Sequence, residues 1–183
     1  MLLELLRLHE GRAVPSAEQA DVLAPLRAPE NADCKALRRS DCADVRSALD
    51  EALEVVAATD PTIFRTNDVV HHDFHHRNLL VHSDTVVAVF DWEGARAGDS
   101  RLDLCTLGFW LSVQSDGMFD PAARDLVDNA ITESVEPRVR AAMTAHIAVG
   151  LMGFGLRSDA TTLGYILSGV RRWCRPRWLP AIT

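Results

Sequence analysis

The sequence predicts a mainly α fold interrupted by one small β-hairpin. Apolar residues recur at helical spacing before Pro61 and again after Gly98. Between them, two short apolar runs at residues 79–81 and 86–90 flank a Ser83-Asp84 turn. No repeat or low-complexity stretch competes with that reading. The length of 183 residues fits one domain, or one large lobe of a bigger enzyme.

In chain order, residues 2–9 read as a short amphipathic helix, with Leu2, Leu5, Leu6 and His9 at helical spacing. Residues 16–26 form a second helix, with Ser16 as its cap and Glu18 in its first turn. The polar stretch 27–40, with Pro29, Asn31 and Asp33, reads as a loop. Residues 41–58 form a third helix, with Val45, Leu49, Leu53 and Val56 on one face. Pro61 breaks the pattern. Val69 and Val70 lead into HHDFHHRN, residues 71–78, and the hairpin follows. Asp99 or Ser100 caps a helix over 101–113. Further helices are predicted at 121–129, 136–156 and 161–174, the second weakened at its end by Gly150, Gly153 and Gly155. The whole chain, 1–183, reads as one lobe in three parts: a helical lead-in (1–60), a loop and hairpin (68–104) and a helical subdomain (105–183).

A net charge of −7 and a pI near 5.4 disfavour nucleic-acid binding and are compatible with a cationic small substrate. Cys34, Cys42, Cys105 and Cys174 lack any CxxC spacing, which argues against a zinc knuckle or a disulfide scaffold and for reduced thiols in the cytoplasm. The apolar start carries Glu4, Arg7 and Glu10, so it is too charged for a signal segment or a membrane span. Phe109, Trp110 and Leu111 read as helix core. Arg171, Arg172, Arg175 and Arg177, with Trp173 and Trp178, read as a tail that packs back on the lobe. Asp116, Asp120, Glu133 and Glu136 read as solvated surface, with an acidic acceptor pocket for a cationic amine as the alternative.

The segment HHDFHHRN leaves two readings open. Four histidines suit a transition metal. Alternatively, the histidines are incidental to a loop of oxygen-bearing residues. An antiparallel hairpin returns its far end to its near end, so Asn78 and Asp91 should meet, with Asp73 looping over them. An amide oxygen and a carboxylate suit a hard cation such as magnesium, and a second carboxylate can accept a hydroxyl proton. Phosphoryl transfer needs that combination.

Residues 71–104 resemble the catalytic segment of the aminoglycoside phosphotransferase and choline kinase-like family. That segment carries a histidine, any residue, an aspartate, four residues and an asparagine, then an apolar hairpin, an aspartate often before Trp-Glu, a Gly-Asp and a further aspartate. Here those positions are His71, Asp73, Asn78, Asp91, Trp92, Glu93, Gly98, Asp99 and Asp103. The match spans about a fifth of the chain. The resemblance implies the mainly α C-terminal lobe of a protein-kinase-like fold. It also implies transfer of the γ-phosphate of ATP, with Mg2+, to the hydroxyl of a small acceptor. Asp73 would be the base, His71 would brace the loop, and Asn78 and Asp91 would hold magnesium and nucleotide. His75, Glu93, Asp99 and Asp103 would support them. The chain departs from the family at His72, where glycine is frequent, and at His76 and Arg77, where small residues or Pro/Gly are common.

The family's nucleotide lobe precedes this loop with a β-sheet, a phosphate-covering loop and a lysine. Here the preceding residues read as helices, with one glycine, Gly11, and one lysine, Lys35, read as exposed. The expectation is a chain without that lobe, served by a separate lobe or partner chain, or else a non-catalytic remnant acting as an interaction module. A histidine metalloprotein is the remaining alternative.

Overall fold

The computed structural model describes residues 7–13, 21–28, 30–83, 85–113 and 120–182. They form helices α1 (Ala24–Arg27), α2 (Ala32–Arg38) and α3 (Ala43–Ala57), then strands β1 (Asp68–Val70), β2 (Leu79–His82), β3 (Thr85–Val89) and β4 (Arg96–Gly98). Helices α4 (Arg101–Val113), α5 (Pro121–Ser134), α6 (Pro137–Ser158), α7 (Ala160–Gly169) and α8 (Arg175–Ile182) follow, with a π-helical turn, Val170–Cys174, joining the last two. The molecule is mainly helical with two small antiparallel sheets.

The chain divides into two compact units. One comprises residues 1–21 and 62–135; the other comprises 22–61 and 136–183. In the second, α6 is the central element. It packs against α2, α3, α7 and α8, and Met143, Ala145, Ala148 and Met152 are fully buried. By length and composition α6 could cross a membrane, but 67% of its apolar stretch is buried inside the protein, as in a core helix. Trp178 on α8 is 1% exposed, and its Nε1–H donates to Thr144 Oγ1 at 3.0 Å. Arg175 pairs with Glu51, and the Arg177 guanidinium lies 4.2 Å from the Trp173 ring centre. The arginine–tryptophan tail therefore packs back, as the sequence suggests.

Two sequence expectations need correction. The stretch 27–40 is not all loop: Asn31 Oδ1 accepts from the Cys34 N–H at 2.8 Å and starts α2. The polar residues that suggested a loop are the cap and its exposed face, while Cys34 and Leu37 turn inward. Nor does the last helix stop at residue 174. The π turn absorbs the change of direction and the chain continues helically to Ile182. Of the predicted helix over 2–9, residues 2–6 lie outside the described residues, as do 16–20 of the helix over 16–26.

The other unit carries the loop and hairpin. β2 pairs with β3 from Leu79↔Val89 to His82↔Thr85, as the alternating runs predict, with a bulge at Leu80/Val81. A second pairing, β1 with β4, has the register Asp68↔Gly98 and Val70↔Arg96. The two ladders are nested, so the outer pair clamps the base of the excursion 71–95. Asp99 and Ser100 precede α4, which begins and ends where the sequence predicts. Asp99 Oδ1 accepts from the Arg101 N–H at 3.1 Å.

Candidate active site

The outer ladder ends at Val70 and Arg96, so residues 71 and 95 come next across it. Gly94 lies against the same turn: a Cβ there would sit in ordinary contact with the His71 carbonyl oxygen, at 3.5 Å. His71 is fully buried and makes three hydrogen bonds. Its N–H donates to Asp103 Oδ2 at 2.7 Å, its Nε2–H to the Phe90 carbonyl at 2.6 Å, and its Nδ1 accepts the Asp73 N–H at 3.3 Å. That pattern fixes the neutral Nε2–H tautomer. Trp92 packs on the imidazole with ring centres 4.6 Å apart, and Phe74 meets it edge-on at 5.8 Å. The brace expected of His71 is thus a bridge between the loop and the end of β3.

Asp103 holds the same corner from α4. Its second oxygen, Oδ1, accepts the His72 N–H at 3.0 Å. His72 has φ +72°, the left-handed region that favours glycine. The left-handed backbone accompanies the convergence of two consecutive N–H groups, of His71 and His72, on the one carboxylate. Burial pushes the Asp103 carboxyl up to about 7, against the two N–H groups that draw it down.

The loop 73–78 closes on itself. Asn78 Nδ2 donates to the Asp73 carbonyl at 2.9 Å and lies 3.5 Å from Asp73 Oδ2. The Asp73 side chain is 55% exposed, while Asn78 is buried. His75 Nδ1 accepts the Arg77 N–H at 3.2 Å, which leaves Nε2 to carry the proton and point at Asp73 Oδ2, 3.6 Å away. The Phe90 N–H donates to the Asn78 carbonyl at 2.9 Å, which extends the inner ladder by one step, with Asp91 the next residue along the chain. Asp91 is exposed and left-handed, with φ 62° and ψ 55°.

Of the supporting residues expected from the sequence, His75 and Asp103 touch the loop. Asp99 does not: it is buried at the junction behind it, accepting from the Arg65 N–H at 3.0 Å and from the Arg101 guanidinium. Glu93 is exposed in the turn after Asp91. Among the described residues, no three His, Cys, Asp or Glu side chains group to hold a metal ion. His71 and His75 each spend a ring nitrogen on the backbone, so these two brace the loop.

Two residues escaped the sequence reading. Asp68 is 2% exposed and accepts from the Gly11 N–H at 2.9 Å, the Ser100 N–H at 3.2 Å and the Ser100 hydroxyl at 2.9 Å. Burial raises its carboxyl pKa, but these donors and Arg65 outweigh it, so the net shift is downward. Its partners are distant in sequence, and no local pattern marks it. Trp110, expected in the core, is only half-buried, with its ring 5.8 Å from that of His75.

Comparison with curated proteins and with solved structures finds no match. The model of one protein family, described as the phosphotransferase enzyme family (APH), matches residues 1–140 of the 183. That stretch contains the nested ladders, the braced loop and the start of α4, and the chain belongs to the phosphotransferase enzyme family.

Proposed function

We propose that the chain is a small-molecule kinase of the aminoglycoside phosphotransferase type, built on the C-terminal lobe of a protein-kinase-like fold. In this reading it directs the γ-phosphate of ATP to an acceptor hydroxyl. The observation that carries it is the closure of the loop by Asn78. With Nδ2 committed to the Asp73 carbonyl, the amide presents Oδ1 as a free oxygen donor. Asp91, one residue beyond the Phe90–Asn78 backbone bond, adds an exposed carboxylate. An amide oxygen and a carboxylate form the hard-oxygen donor set that fits Mg2+. When bound, the ion neutralises charge on the nucleotide phosphates.

The protein's own residues supply the rest. Asp73 is exposed enough to reach a substrate hydroxyl and to accept its proton at Oδ2. His75 Nε2 lies beside that oxygen, 3.6 Å away. His71 and Asp103 hold the loop backbone so that Asp73 and Asn78 keep their separation. Preorganisation of this kind removes the reorganisation that a flexible loop would need at the moment of transfer.

The test is phosphoryl transfer from γ-labelled ATP to a panel of hydroxylated small molecules, wild type beside Asp73→Asn. Transfer that falls by about a hundredfold or more in the variant supports the assignment of Asp73. Transfer that survives Asp73→Asn unchanged contradicts it.

A further inference from the structure

Beside the loop lies a pocket of about 80 Å3 lined by His75, His76, Arg77 and Trp110. We propose that this pocket is the acceptor subsite, and that it selects a planar hydroxylated anion, an aromatic carboxylate by class, over a polycationic amine. The proposal rests on the phosphotransfer reading for its role and on the lining for its chemistry.

Size comes first. The pocket is smaller than the roughly 150 Å3 that encloses a benzene ring, and it opens to solvent. One ring enters partway, with its substituents outside. Trp110 supplies the apolar wall. Its indole is half-buried on α4, held edge-on by His75 at 5.8 Å and by Phe109 at 5.9 Å, so a surface for stacking is already fixed in place. Arg77 supplies the charge. It is exposed at the rim, and a guanidinium matches a carboxylate with two parallel hydrogen bonds.

The local field has the same sign. Among the described residues, no carboxylate lines the pocket. An amine-rich ligand needs acidic partners for its charges and would meet Arg77 instead. Asp73 Oδ2 lies 3.6 Å from His75 Nε2. His75 therefore connects the pocket to the proposed base, so a ring seated on Trp110 presents a hydroxyl toward Asp73.

The experiment is ligand-observed NMR on the full chain without nucleotide, with 4-hydroxybenzoate and kanamycin as probes. The expected result is saturable binding of 4-hydroxybenzoate that kanamycin does not displace. Arg77→Gln should weaken it about tenfold, the loss of one charge-assisted contact. Trp110→Ala should abolish it, and Trp110→Phe, which keeps a ring in the wall, should retain most of it. Kanamycin binding with no 4-hydroxybenzoate binding overturns the proposal, and so does 4-hydroxybenzoate binding that is unchanged in Arg77→Gln and Trp110→Ala. Because no nucleotide is present, the two readings fail separately. Absence of Mg-ATP binding with 4-hydroxybenzoate bound removes the phosphotransfer role alone. Mg-ATP binding with no 4-hydroxybenzoate binding removes the acceptor class alone.

Discussion

Asp103 Oδ2 accepts the backbone N–H of His71 at 2.7 Å, and this contact ties helix α4 to the loop that carries Asp73. The donor and acceptor lie 32 residues apart in sequence, and Asp103 is completely buried. Asp103→Asn keeps the shape but puts an N–H where one of two backbone N–H groups must be accepted. The variant should lose about 2–3 kcal/mol of stability, the cost of a buried donor left unsatisfied. Denaturant melts of wild type and variant check this, and a loss below about 0.5 kcal/mol would show that the loop does not depend on the contact.

The same residue gives a pH signature. Its folded-state carboxyl is pushed up to about 7, above the ordinary value of 3.8. Between those values the folded chain binds more protons than the unfolded chain, so this contribution to stability is full at low pH and declines as pH rises toward 7. Taking wild type minus Asp103→Asn cancels the other titrating groups, His9 and His76 included. The difference in stability should be more favourable to wild type at pH 5 than at pH 7.5. Urea melts at the two values measure it.

At Asp91 stability and binding should move in opposite directions. The residue sits at φ 62°, where an L side chain is strained and glycine is not. Asp91→Gly should stabilise the fold by up to about 1 kcal/mol while removing the exposed carboxylate proposed for magnesium. Thermal melts and Mg-ATP titration of the same variant read the two effects separately. A destabilised Asp91→Gly would mean that its side chain supports the turn.

Trp178 tests the helical unit independently of the site. It is 1% exposed and hydrogen-bonded to Thr144. Trp178→Ala should cost about 3–5 kcal/mol, and Trp178→Phe considerably less, since the ring stays and one hydrogen bond goes. Equilibrium unfolding of both variants separates packing from the hydrogen bond.

Legibility in the sequence followed the range of the forces involved. The hairpin and the bounds of α4 were readable because alternation, a turn and a cap are local signals. The spacing of Asp73, Asn78 and Asp91 was legible as a family motif, but the bond from Asn78 Nδ2 to the Asp73 carbonyl was no part of that reading. The β1–β4 ladder was not: each strand has three residues, and the partners are separated by the whole excursion. Asp68 was missed because Gly11 and Ser100, which give it a place, lie 57 and 32 residues away. Asn31 was read as loop composition rather than as a cap, because Asn favours both. Trp110 has the spacing of a core residue, and only the fold turns its ring toward His75.

The most direct test of the central claim, that Asn78 and Asp91 form the mouth of a nucleotide site, is isothermal titration of the chain with ATP and Mg2+ beside Asp91→Ala. The account predicts saturable, magnesium-dependent binding that is lost in the variant. Equal binding by both proteins, or none by a folded wild type, would contradict it.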